Sequence, residues 1–92
     1  MATKPNQALI YRKVPPFLRH LRKEVGLTQR ELAGRVGKTQ WWVARIESGS
    51  RRIDIAEFIE WCAGCKVAAT KALMELMAGG NALKRPGGRG KK

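Results

Sequence analysis

The sequence predicts an all-α fold, a compact bundle of five helices with flexible basic arms at both ends. Apolar residues recur every three or four positions in successive stretches of the chain. Residues that cap or end helices separate these stretches, and no β-hairpin turn interrupts them. The chain has 92 residues, of which 43% are hydrophobic, so it can build one core.

The first predicted helix opens at Pro15 and Pro16, because the missing N–H of proline costs nothing in the first turn of a helix. Gly26 ends it. The apolar face between these points consists of Phe17, Leu18, Leu21 and Val25.

The second predicted helix spans about residues 29–36. Thr28 and Glu31 have the spacing of a capping box, and Gly37 suits the left-handed backbone that ends a helix. Its apolar face consists of Leu32, Ala33 and Val36.

Thr39 caps the third predicted helix, which points Val43 and Ile46 inward and ends near Ser48 and Gly49. Two short helices joined by a tight turn have the geometry of a helix-turn-helix, whose second helix enters the DNA major groove.

Asp54 caps the fourth predicted helix. Its expected buried face is Ile55, Phe58, Ile59 and Cys62. A fifth helix before Gly79 is indicated by Val67, Leu73, Leu76 and Met77.

The net charge of +12 is distributed unevenly along the chain. Residues 1–14 carry three bases and no acid, and residues 79–92 carry five bases and no acid, which leaves +4 for residues 15–78. We therefore expect an N-terminal arm at 1–14, a folded domain at 15–78 and a disordered basic tail at 79–92. The tail serves either solubility or attraction to phosphates.

The chain has no apolar run of membrane-spanning length and no signal-peptide pattern, so we expect a cytoplasmic protein with reduced cysteines and no membrane contact. Cys62 and Cys65 have the CxxC spacing of thioredoxin-type redox proteins, but they fall two turns into a helix with no strand before it. We predict that both are buried. Only His20 is available as a further zinc ligand, and we predict no metal, no cofactor and no enzymatic activity.

The stretch Gly26-Leu27-Thr28-Gln29-Arg30-Glu31-Leu32-Ala33, continued through Gly37 and Val43 to Ile46, Glu47 and Gly49, resembles the phage-repressor Cro/CI (XRE) family of helix-turn-helix regulators. The resemblance covers roughly residues 17–77. It implies a lambda-repressor-like, five-helix DNA-binding domain that is usually dimeric, acts in transcription control and is found with the nucleoid.

The resemblance also implies a set of DNA contacts. The residues expected to face base edges are Gln40, Trp41, Ala44 and Arg45. Glutamine pairs with adenine and arginine with guanine, whereas Trp41 suits a thymine methyl group or a sugar. The residues expected to bind phosphates are Gln29, Arg30, Lys38, Thr39, Arg51 and Arg52.

Two further residues of the motif have structural interpretations. Trp42 flanks the inward stripe of the third helix, so packing at the edge of the core is favoured over a DNA contact. The resemblance implies that Glu47 pairs with Arg22 and fixes the motif against the first helix.

The preferred function is a sequence-specific regulator of transcription, a repressor that occupies a palindromic operator on double-stranded DNA. The surplus of apolar side chains on the fifth helix predicts a homodimer through that helix. The alternative is an antitoxin or a restriction-modification controller that regulates its own operon and binds a protein partner such as a toxin.

Overall fold

The computed structural model describes residues 9–78, which fold into five α-helices as the sequence predicts. The helices are α1 (Val14–Glu24), α2 (Gln29–Val36), α3 (Gln40–Ser48), α4 (Ile55–Gly64) and α5 (Ala69–Met77). Residues 9–78 contain no strand. The predicted tail at 79–92 and the first eight residues of the predicted N-terminal arm lie outside the described part of the chain.

Helices α2 and α3 begin and end where their capping residues predict. The Thr28 hydroxyl accepts from the Glu31 N–H at 3.0 Å, and the Glu31 carboxylate accepts from the Thr28 N–H at 2.9 Å. Thr39 caps α3 by accepting from the N–H of Trp42 at 3.0 Å. Gly37, with φ of 71°, adopts the left-handed backbone that ends α2, and only two residues separate it from α3.

The packed unit includes residues 11–14, the last four residues of the predicted N-terminal arm. Tyr11–Lys13 form a 3-10 turn that runs directly into α1. The Tyr11 ring is buried, and its hydroxyl accepts a hydrogen bond from the N–H of Ile53 at 3.0 Å. This contact ties the start of the fold to the loop between α3 and α4.

The core lies between α1, α2, α3 and α4. Leu32, Val43 and Ile46 are fully buried, as predicted for the inward faces of α2 and α3. The small side chain of Ala33 is also buried, where α2 packs against the rest of the bundle.

The buried face of α4 differs from the prediction. Ile55 and Ile59 are 66% and 52% exposed, whereas Trp61 is fully buried. The Trp61 indole N–H donates to the carbonyl of Leu18 at 3.1 Å, so the largest side chain of the helix turns inward. The buried face is therefore Phe58, Trp61, Cys62 and Cys65, which repeats the i, i+3, i+4, i+7 spacing from a different starting residue.

The apolar face of α1 is narrower than the sequence indicated, whereas α5 exposes the surplus of apolar side chains that the sequence predicted. Val25 lies beyond the end of α1 and is exposed. On α5, Ala72 and Leu76 are buried while Leu73, Met74 and Met77 are exposed, so this helix keeps an uncovered apolar surface. None of the helices within residues 9–78 combines the length and hydrophobicity that a bilayer-spanning segment requires.

Candidate nucleic-acid interface

An ion pair fixes α3 against α1. The Arg22 guanidinium donates to both carboxylate oxygens of Glu47, from Nε to Oε2 at 2.6 Å and from Nη2 to Oε1 at 2.9 Å. Its Nη1 donates to the Leu27 carbonyl at 2.6 Å, so all three guanidinium nitrogens have protein acceptors. The hydrogen bond to Glu47 raises the pKa of Arg22 against the opposing effect of burial. The pair that the family resemblance implies is thus present.

A chain of side-chain amides extends this ion pair toward the surface of α3. Gln29 Nε2 donates to Glu47 Oε1 at 3.0 Å, and Gln40 Nε2 donates to Gln29 Oε1 at 3.2 Å. The carboxylate therefore positions Gln40 through Gln29. The sequence assigned Gln29 to a phosphate and Gln40 to a base, but it gave no sign that the two side chains bond to each other.

The other side chains expected to face bases differ in exposure. Trp41 is 69% exposed, a large fraction for an indole, and Arg45 is also exposed. The Arg45 guanidinium carbon lies over the Trp41 ring, 5.7 Å from its centroid. Ala44 is half-buried, so it presents only a small surface between its neighbours.

Trp42 packs at the edge of the core, as predicted. Its ring is half-buried and lies 5.9 Å from the ring of Trp61, centroid to centroid. Lys38 Nζ and the guanidinium carbon of Arg51 lie 5.4 and 5.7 Å from the Trp42 centroid. The indole thereby holds two cations close to α3 through cation–π contacts.

The two arginines of the α3–α4 loop have different partners. Arg51 donates to both carboxylate oxygens of Glu57 at 3.1 Å, which raises the pKa of Arg51 and lowers that of Glu57. Glu57 also completes the N-terminal capping box of α4 with Asp54. The guanidinium of Arg52 instead lies over the Tyr11 ring, 4.2 Å from its centroid, and the residue is exposed.

The remaining residues expected to bind phosphates lie at the N-terminal ends of α2 and α3. Arg30 is exposed in the first turn of α2, and Thr39 is exposed while its hydroxyl caps α3. A shallow open groove separates these two helix ends and is lined by Arg22, Thr28, Gln29, Arg30 and Gln40. The N–H groups and partial positive charge of a helix N-terminus favour an anion.

The two cysteines are buried, as predicted. Cys62 and Cys65 are free thiols without exposed surface, and burial raises the pKa of each to about 11. A thiol with so high a pKa carries almost no thiolate at neutral pH. Within residues 9–78 no cluster of three or more His, Cys, Asp or Glu side chains is arranged to hold a metal ion.

Comparison with known proteins places the chain among helix-turn-helix proteins. A family model described as a helix-turn-helix domain matches residues 17–76. No curated protein sequence gives a significant match. An XRE-family like protein from Pseudomonas syringae pv. tomato str. DC3000 is 35% identical, with a TM-score of 0.71, over 75% of this chain and 84% of that protein.

More distant structures share the fold. The clp gene regulator ClgR from C. glutamicum is 21% identical, with a TM-score of 0.69, over 78% of this chain and 94% of its own. The restriction-modification controller protein C.Esp1396I, solved as a tetramer with its natural 35 base-pair operator, is 24% identical, with a TM-score of 0.71. That match covers 77% of this chain and 93% of the controller.

Proposed function

Because this chain belongs to the XRE-type helix-turn-helix family and is a DNA-binding transcriptional regulator, we propose that it represses transcription by occupying a two-fold symmetric operator as a homodimer. The observation that carries the proposal is the exposed face of α3, which is anchored through Glu47 to α1. A rigid helix with polar and aromatic side chains on its outer face is suited to the major groove. The proposed function involves no catalytic step, and we expect the protein to act at the nucleoid in the cytoplasm.

The proposed base contacts follow from the chemistry of the side chains on α3. Gln40 pairs with the N6 and N7 atoms of adenine, and Arg45 pairs with O6 and N7 of guanine. Trp41 contacts the methyl group of thymine, and the small side chain of Ala44 allows the helix to approach the bases closely.

The proposed phosphate contacts surround this face. Gln29 and Arg30 at the start of α2, and Lys38 and Thr39 at the start of α3, meet one strand of the backbone. Arg52 and Arg51 in the α3–α4 loop meet another part of it. Arg52 is expected to contribute more to phosphate binding than Arg51, because Glu57 already accepts two hydrogen bonds from the guanidinium of Arg51.

Homodimer formation through α5 is supported by the apolar surface that the fold leaves uncovered. Met74 and Met77 are 69% and 70% exposed, and Leu73 is also exposed. One short recognition helix reads few base pairs, so a second copy is needed for a selective site. The controller C.Esp1396I, which shares the fold, assembles as a tetramer on its operator.

The oligomeric state is tested by sedimentation of the protein alone and on DNA. Met77→Lys, at the exposed apolar face of α5, is expected to shift the mass toward the monomer. Val25→Lys makes the same change at an exposed apolar residue outside α5 and is expected to leave the mass unchanged. A wild-type protein that sediments as a monomer in both conditions contradicts the dimer.

The division between base and phosphate contacts is tested by binding of two arginine variants to a panel of duplexes. Arg45→Ala is expected to bring the affinities for different sequences closer together, whereas Arg52→Ala weakens binding to every sequence by the same factor. Equal loss for all sequences in Arg45→Ala contradicts its role in base reading.

The basic segment at 79–92 is proposed to add attraction to DNA without sequence preference. Removal of residues 80–92 deletes five bases and is expected to flatten the dependence of log K on log salt, whose slope is about −0.9 per phosphate neutralised. An unchanged slope assigns the segment to solubility alone.

A further inference from the structure

We infer that Trp41 and Arg45 act as one reading unit, which selects a guanine whose neighbouring base carries a C5 methyl group. The inference rests on the proposed binding of α3 in the major groove and assigns a specificity to it. It makes Trp41 both an apolar contact to DNA and a positioning residue for Arg45.

The two side chains lie one helical turn apart on the same face of α3. Residues four positions apart on a helix are neighbours, and here the guanidinium carbon of Arg45 is 5.7 Å from the Trp41 ring centroid. Arg45 Nε also lies 3.5 Å from the hydroxyl oxygen of Ser50. That hydroxyl donates in turn to the Arg45 carbonyl at 3.3 Å. The guanidinium therefore contacts both an aromatic ring and a hydroxyl group of its own chain.

The terminal nitrogens of Arg45 have no carboxylate partner within residues 9–78. This separates Arg45 from Arg22 and Arg51, whose forks are each matched to a glutamate. Guanine offers two acceptors, O6 and N7, at a spacing that a guanidinium fork matches. Contact with an exposed ring restricts the side chain before binding, so less rotamer freedom is lost when the fork meets the base.

The distance between Trp41 and Arg45 indicates which part of the DNA the indole contacts. A guanidinium that pairs with guanine in two hydrogen bonds lies near the plane of that base. The next base pair is stacked about 3.4 Å away along the helix axis, so an indole whose centroid lies 5.7 Å from the guanidinium carbon is within reach of that base pair. In the major groove the apolar feature of a pyrimidine is the C5 methyl group of thymine. The same methyl group is present on 5-methylcytosine and absent from uracil and cytosine.

The test uses the duplex that the full-length protein selects from a random pool, with single-atom changes in its bases. Each guanine in turn is replaced by 7-deazaguanine, which lacks the N7 acceptor, and each thymine next to a guanine by uracil. For the wild type we expect about a tenfold loss of affinity at one guanine per half-site. We also expect about a fourfold loss at the adjacent thymine, the equivalent of one methyl group.

Variants of Trp41 then show whether Trp41 and Arg45 act together or contact the DNA independently of each other. In Trp41→Ala the loss caused by uracil disappears and the loss caused by 7-deazaguanine shrinks, whereas Trp41→Phe retains part of both. Arg19→Ala removes an exposed arginine of α1 and keeps the wild-type pattern. Thermal unfolding of each variant verifies that the fold is intact.

Three outcomes count against the unit. If uracil changes no wild-type affinity at any thymine next to a guanine, the methyl contact is absent, and this result needs no variant. If Trp41→Ala leaves the 7-deazaguanine loss at its wild-type size, Trp41 does not position Arg45. If the random pool yields no enriched sequence, the proposed function fails as well, which distinguishes that failure from the other two.

Discussion

Arg22 in α1 and Glu47 in α3 are joined by two hydrogen bonds across 25 positions of sequence, at 2.6 and 2.9 Å. The same carboxylate accepts from Gln29, which accepts in turn from Gln40. An acidic side chain next to a DNA-binding face would repel phosphates if it were unpaired. Here the negative charge of Glu47 is balanced by the positive charge of Arg22. Through Gln29, the Glu47 carboxylate orients Gln40, which is proposed to read a base.

Replacing Glu47 with alanine is expected to lower the free energy of unfolding by about 3 kcal/mol, because Arg22, only 6% exposed, loses its carboxylate. Urea unfolding measures the change. The double variant Arg22→Met, Glu47→Leu removes both charges and is expected to recover most of the stability. It does not recover DNA affinity, since Gln29 and Gln40 still lack their anchor. A Glu47→Ala protein as stable as the wild type contradicts this role.

Two glycines test the close packing of α2 against α4, with Gly64 at the contact and Gly34 as the control. A Cβ atom at Gly64 lies 2.8 Å from Leu32 Cδ1 and 2.9 Å from Val36 Cγ1, whereas one at Gly34 meets nothing within 4 Å. Gly64→Ala is expected to destabilise the fold by about 1–3 kcal/mol through overpacking. Gly34→Ala is expected to stabilise α2 by about 0.5–1 kcal/mol. Equal effects of the two changes on chemical unfolding refute the close approach of the helices.

The Arg51–Glu57 pair predicts a specific loss of stability in acid. The pKa of Glu57 is lower in the folded state than its ordinary value of 4.5, chiefly because Arg51 donates hydrogen bonds to the carboxylate. The folded state thus binds fewer protons, so the contribution of Glu57 is complete above pH 4.5 and is lost as pH falls through the folded pKa.

Glu57→Gln tests this contribution, because the amide oxygen still caps α4 while the charge is removed. The unfolding free energy of this variant is expected to fall less steeply with acid below pH 4.5 than that of the wild type. Glu60→Gln, at an exposed residue of the same helix, serves as the control and keeps the wild-type slope. Identical acid dependence of the two variants would show that Glu57 does not contribute to the loss of stability in acid.

The thiols of Cys62 and Cys65 are expected to resist alkylation in the native protein. Both lack exposed surface, and the pKa of each is about 11, so the thiolate that reacts is scarce. Iodoacetamide labelling at pH 8 is expected to be slow until denaturant is added, and mass spectrometry follows it. Labelling of the native protein at the rate of free cysteine argues for an accessible, reactive pair.

Local signals in the sequence predicted the helices and their caps, because Thr28, Thr39 and Asp54 act on backbone groups within three residues. The prediction of the buried face of α4 was wrong, because an apolar helix has two possible faces with the same residue spacing. Contact between Trp61 and Leu18, 43 positions apart, selects one of them. The hydrogen bonds from Gln40 to Gln29 and from Gln29 to Glu47 join residues 11 and 18 positions apart, so no local sequence pattern predicts them.

Selection of bound sequences from random duplex DNA at physiological salt measures whether α3 reads base sequence. If a homodimer reads DNA through α3, the selected pool is enriched in two half-sites related by two-fold symmetry, with centres about 10 base pairs or a multiple apart. A guanine preference in each half-site is expected to weaken in Arg45→Ala. A bound pool with the composition of the input would show that the protein holds DNA by its charge alone, and would contradict sequence reading by α3.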